Sequence, residues 1–223
     1  MVLIGFLLLF THSIMLFGLG YSILFLFLSF AVSFTFEILG IKTGITFGGF
    51  FHYDSNNNGP IIWKVPVFII ITWYVLIYMS FNYVIHVIGF NNVYYLGSSF
   101  SGIILISFFS GLLIMFQDLV LDPIGVDEKR WVWKNPGSYY GVPYLNFLWW
   151  FLCCFIVSAV FLFILNIQPL HFRQVNKIPL ILFSILPIIA SRPCFERNLI
   201  LPACFGIVYS FLLFFLLAYS SIT

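Results

Sequence analysis

Residues 118–150 read D-L-V-L-D-P-I-G-V-D-E-K-R-W-V-W-K-N-P-G-S-Y-Y-G-V-P-Y-L-N-F-L-W-W. Four of the seven acidic residues and four of the six tryptophans of the chain are gathered here. Apolar runs long enough to cross a bilayer flank the stretch on both sides. Carboxylates at such a boundary are costly to place, which makes them the first candidates for function. Over the whole chain, 62% of the 223 residues are hydrophobic and 7% are charged. A soluble domain carries about 25% charged residues, so too little polar side chain is present to coat a water-facing surface. The expected fold is therefore an all-α integral membrane protein, with residues 1–223 forming a single transmembrane domain. It is a polytopic bundle of about seven helices (six to eight), because helices are the open-ended element a bilayer tolerates.

Val2 to Leu39 is almost continuously apolar and too long for one span, and Gly18 and Gly20 offer a break. The reading is a short helix near 2–17 and a second near 20–39, ending at Glu37 with Gly40 as its C-cap. A loop rich in Gly and Asn follows, from Ile41 to about Trp63. Further spans are expected near 65–86, 96–121, 144–166, 178–191 and 199–219. The N-terminus lacks the basic residues and small-residue cleavage site of a removed signal peptide. Four cysteines without C-x-x-C spacing read as packing thiols.

Basic residues set the orientation. Lys42 and Lys64 follow the second span, Lys129, Arg130 and Lys134 follow the fourth, and Arg192 and Arg197 precede the last. These loops are two crossings apart and share one side, while Arg173 and Lys177 sit opposite. The positive-inside rule puts the three loops in the cytoplasm and the bundle in the cell membrane. The net charge of +2 is small and dispersed, which argues against a nucleic-acid partner. By the same parity the second and fourth spans end on one face, so Glu37, Asp118 and Asp122 lie at one depth.

Asp118 and Asp122 are four apart and share a helical face, and Pro123 is expected to stop the helix there. A helix C-terminus, low dielectric and a second carboxylate all favour a proton resting on one of the pair, a usable general acid. Asp122 is the preferred donor. The plain structural reading is a helix-end pair neutralised by the basic residues of the next loop. Glu37 lies under a long apolar run, with Lys42 as its nearest neutralising residue. Trp131, Trp133, Tyr139 and Tyr140 can serve as interfacial anchors or as ring faces that stabilise a developing cation. Asn146 and the run His52, Tyr53 and Asp54 are candidates to position a water. His12, His86 and His171 are scattered without ligand spacing, so neither a metal nor another cofactor is expected.

The blocks E-I-L-G-I-K-T-G-I-T-F-G-G-F-F-H-Y (37–53), N-G-P (58–60), V-P (65–66), D-L-V-L-D-P (118–123), W-V-W (131–133) and G-S-Y-Y-G-V-P-Y-L-N-F-L-W-W (137–150) resemble the carotenoid biosynthesis membrane proteins of the CruF type. These are carotenoid 1,2-hydratases, including bisanhydrobacterioruberin hydratases, and the resemblance covers about residues 30–160. Phe51 stands where that pattern often has a second Tyr, and Trp149 where it usually has Gly. The resemblance implies a cofactor-free hydro-lyase that adds water across the terminal C1,C2 double bond of an acyclic carotenoid. Its partners would be the polyene, water, membrane lipid and neighbouring enzymes of the same pathway. Asp122, Asp118 and Glu37 are the expected catalytic set; Trp131, Trp133, Tyr139, Tyr140, Asn146, Tyr53, His52 and Trp150 are the expected substrate contacts. D-x-x-x-D also admits a magnesium-dependent membrane prenyltransferase, and a carrier of a hydrophobic solute is the non-enzymatic alternative.

Overall fold

The computed structural model describes residues 2–54, 58–88, 99–166 and 177–220. Among these, seven helices form: α1 (Val2–Phe17), α2 (Leu19–Thr43), α3 (Val67–Ile88), α4 (Phe100–Asp127), α5 (Tyr144–Asn166), α6 (Ile178–Glu196) and α7 (Ile200–Tyr219). All but α1 are long and apolar enough to cross a membrane. The chain is an all-α membrane bundle, as its composition requires, and the break near Gly18 (φ 83°) separates α1 from α2. The apolar run thus folds back on itself as a helical hairpin.

Two helix ends differ from expectation. α2 does not stop at Glu37 but continues to Thr43, where Gly44 at φ 68° caps it by donating to the Gly40 carbonyl. Gly40 is inside the helix, where a Cβ would lie 2.5 Å from the Phe51 ring. Close packing, not capping, is its reason to be glycine. α4 does not stop at Pro123 but runs through it to Asp127. Proline removes the N–H that would bond the Leu119 carbonyl four residues back. The Tyr139 hydroxyl takes that place, donating to Leu119 O at 3.0 Å. With this substitute the helix persists for another turn, so Asp118 and Asp122 lie inside it rather than at its C-terminus.

The loops expected to share a side do so. β1 (Phe51–Tyr53), after α2, pairs antiparallel with β4 (Trp131–Trp133), after α4, in the register Phe51↔Trp133, His52↔Val132, Tyr53↔Trp131. The turn between α6 and α7 joins them through Arg197, which meets Asp127 at 3.1 Å and Glu128 at 2.6 Å. A second hairpin, β2 (Ile61–Ile62) with β3 (Val65–Pro66), leads into α3. The stretch expected as loop therefore carries two short strands, and a third, β3, occupies the expected start of the third span. Arg173 and His171, expected at the opposite end and among the scattered histidines, lie outside the described residues. Three of the four cysteines are buried packing thiols, whereas Cys204 is exposed on α7.

α3 is the axis of the bundle. Every residue from Leu76 to Ile85 is buried; Tyr74 and Tyr78 pack edge-on against Phe25, and Phe81 meets Phe17 and Phe25 at a tilt, all on the α1–α2 hairpin. On α2 the buried stripe is Ser22, Phe25, Ser29, Ser33, Glu37 and Gly40. Small residues at helical spacing bring neighbouring backbones close without a hydrophobic drive, the usual solution in lipid. The single acidic member of that stripe is Glu37, which is thereby turned inward.

Candidate active site

A cavity of about 260 Å³ opens between the loop ends of α2, α3, α4 and α5, roofed by β1 and β4. Strand alternation decides which roof residues face it, since successive side chains point to opposite sides. Phe51, Tyr53, Trp131 and Trp133 line the cavity. His52 lies on the other face of β1 and is exposed.

Glu37 enters from α2 and is 3% exposed. Its Oε1 accepts from the Trp73 indole N–H at 2.9 Å and its Oε2 from the Tyr53 hydroxyl at 2.8 Å. Burial, followed by the adjacent Glu37 carboxyl, pushes the Tyr53 phenol well above its ordinary range. It therefore remains a donor. Asp118 and Asp122 enter from α4, 1% and 4% exposed. The Asn146 amide of α5 donates to Asp118 Oδ2 at 2.9 Å and to Asp122 Oδ2 at 2.6 Å. Asp118 Oδ1 and the Trp131 indole N–H are buried with no hydrogen-bond partner among the described residues.

The three carboxyls thus share one chamber. Among the described residues none of them takes part in an ion pair. In the next loop Arg130 pairs with Glu128 at 2.6 Å, Lys129 and Lys134 form no ion pair with the aspartates, and Arg197 of the α6–α7 turn holds Asp127 and Glu128. Neutralisation of the aspartates by that loop, the plain reading of the sequence, is not what forms. Among the described residues no three His, Cys, Asp or Glu side chains are grouped to hold a metal ion.

Aromatic rings make up much of the remaining wall. Trp73 and Trp150 stack with centroids 3.8 Å apart, and Phe47 and Phe51 meet edge-to-face at 5.7 Å. Trp131 rests on Gly125, where any Cβ would collide with its ring. Trp133 is held by its N–H to the Phe47 carbonyl at 2.9 Å.

Of the residues expected at the site, Glu37, Asp118, Asp122, Tyr53, Trp131, Trp133, Asn146 and Trp150 line the chamber, while His52, Tyr139 and Tyr140 do not. Tyr139 serves the Leu119 carbonyl, and the exposed Tyr140 accepts from the Leu201 backbone N–H at 3.3 Å. Trp73 and Phe47 escaped the sequence reading. For Trp73 a signal existed, because a lone indole inside an apolar span needs a partner for its N–H.

A family model described as "Carotenoid biosynthesis protein" matches residues 1–213. The chain belongs to this carotenoid biosynthesis family. No curated protein and no solved structure matches it. Motif resemblance covered only about residues 30–160, so the match brings α1, α6 and most of α7 into the domain that carotenoid biosynthesis proteins share.

Proposed function

We propose that this carotenoid biosynthesis protein is a hydratase acting on the acyclic ends of a carotenoid, adding water across the terminal C1,C2 double bond. One observation carries the reading: buried carboxyls from two separate helices converge, with no ion pair among the described residues, on a ring-walled chamber. Protonation of an unactivated alkene needs a carboxylic acid in a water-poor site, and the cation it creates needs ring faces nearby.

In this mechanism Asp122 transfers a proton to C2 of the isopropylidene end, using the π electrons of the double bond. A tertiary cation forms at C1, facing the Trp73–Trp150 stack and Trp131. Water attacks C1 and passes its surplus proton to a carboxylate, and return of that proton to Asp122 through water closes the cycle. Glu37 suits the accepting role, because Tyr53 and Trp73 fix the orientation of its two oxygens. Asn146 holds Asp118 and Asp122 in register through the cycle. The product is the tertiary alcohol, and no electron acceptor or donor is consumed. The basic residues at the chamber's end of the bundle support its assignment to the cytoplasmic face of the cell membrane, where water is at hand.

The test is expression in cells that make an acyclic polyene, followed by pigment extraction and mass analysis. Hydration adds the mass of one or two waters, prenyl transfer would add a five-carbon unit, and a carrier would add nothing. Asp122→Asn should yield no hydrated pigment while the protein stays in the membrane. Normal product from that variant removes Asp122 from the role.

A further inference from the structure

The chamber has two mouths of opposite chemistry. At the loop end its lining reaches Glu128 and Arg130, the partly exposed ion pair. At its side the lining reaches Val2 of α1, Phe68 and Thr72 of α3, and Leu121 and Ile124 of α4, all at least partly exposed and none charged. The enclosure of α3 changes at this level. Leu76 to Ile85 are buried without exception, whereas Phe68, Ile71, Thr72 and Val75 are only half-buried. Neighbouring helices thus surround α3 from Leu76 to Ile85 and leave a face open over its first turns.

That open face lies inside the helix ends rather than at them. At 1.5 Å per residue, Thr72 is roughly 8 Å inside the start of α3 and Leu121 roughly 9 Å inside the end of α4. We infer that this side window, between the start of α1 and the facing turns of α3 and α4, is where the polyene lies. Its reactive end reaches the carboxyls, and the rest of the chain runs out into the bilayer. The inference rests on the hydratase reading for the identity of the occupant.

Size supports it. A 150 Å³ apolar cavity takes up benzene, so about 260 Å³ accommodates roughly ten carbon atoms. A carotenoid is several times longer, and the surplus must leave through an opening that costs it no apolar contact. The polar mouth would force that chain past Glu128 and Arg130 into water, at roughly 25 cal/mol for each Å² of apolar surface exposed. The side window imposes no such cost. Polyene and water then arrive by separate routes.

The experiment places a diazirine-bearing amino acid in turn at Thr72, at Leu121 and at the lipid-facing Val208 of α7, which is 67% exposed. Each protein is irradiated in vesicles containing the acyclic polyene, and adducts are read by mass. The expected result is an excess of polyene adduct at positions 72 and 121 over position 208 of roughly tenfold, with pigment hydration by the unaltered chain measured alongside. Equal yields at all three positions, or phospholipid adducts alone at 72 and 121, overturn the window. Two positions guard against one label that disturbs folding. Enriched adducts without hydrated product would leave the window standing and remove the hydratase reading. Hydration without enrichment would do the reverse.

Discussion

Removing one oxygen atom from Tyr139 should weaken the bundle, and restoring one N–H at Pro123 should cancel the loss. Tyr139→Phe keeps the ring, which packs edge-on against Phe147 at 5.4 Å, and deletes the donor to Leu119 O. That carbonyl then has neither its helical partner, absent because residue 123 is proline, nor a substitute. An unsatisfied carbonyl costs about 1–3 kcal/mol, and this partly buried one belongs in the lower half of the range. For a chain of this length each kcal/mol moves Tm by roughly 2–4 °C. Thermal unfolding of the detergent-solubilised protein should therefore begin about 2–8 °C earlier. In a Pro123→Ala background the residue-123 N–H can bond Leu119 O directly, and Tyr139→Phe should then cost less than about 0.5 kcal/mol. A coupling of about 1 kcal/mol between the positions is the signature. Strictly additive losses would refute the account of how α4 survives its proline. The effect has a defined pH range. Burial, then the neighbouring Tyr140, raises the Tyr139 phenol above its ordinary range, so the folded chain keeps the proton longer than the unfolded one. The contribution should be constant below about pH 10 and be lost as pH rises beyond it.

Glu37→Gln should lower hydration by about two to four orders of magnitude with the protein still membrane-bound, as loss of a general base does; near-normal turnover measured by pigment mass would exclude it from proton transfer. Asn146→Leu leaves Asp118 and Asp122 without their shared donor and should destabilise the fold by about 1.5–3 kcal/mol, relieved when Asp122→Asn is added. An unrelieved loss in the double variant would deny the coupling. Gly125→Ala drives a methyl into the Trp131 ring and should abolish product while helix content by circular dichroism is unchanged. Adding Trp131→Leu should restore room at position 125, recovering the stability the methyl removed. Arg197→Ala cuts the contacts to Asp127 and Glu128, partly exposed pairs worth about 0.2–1 kcal/mol each. A melting shift much larger than that would show that the α6–α7 turn does more than tether the loops.

Hydropathy alone was enough to establish a helical membrane bundle, because whether a segment is stable in hydrocarbon depends on its own residues. Counting crossings also brought Glu37, Asp118 and Asp122 to one end, since parity does not depend on packing. The W-V-W alternation carried its own information, for it is the two-residue period that turns Trp131 and Trp133 inward together. What could not be read from one dimension was lateral. Gly40 resembled a cap and is a contact; Pro123 resembled a stop and is bridged by a hydroxyl sixteen residues away in sequence. Trp73 gave no outward sign that Glu37 was its partner. Tyr139 and Tyr140 look like their neighbours Trp131 and Trp133, yet the chain turns at Gly137 and Gly141 and directs them away from the chamber. Spans and their order follow from the cost of placing each residue in oil. Which helix lies beside which, and hence whether three carboxyls share one chamber, follows from how side-chain shapes and orphaned polar groups are satisfied between segments distant along the chain.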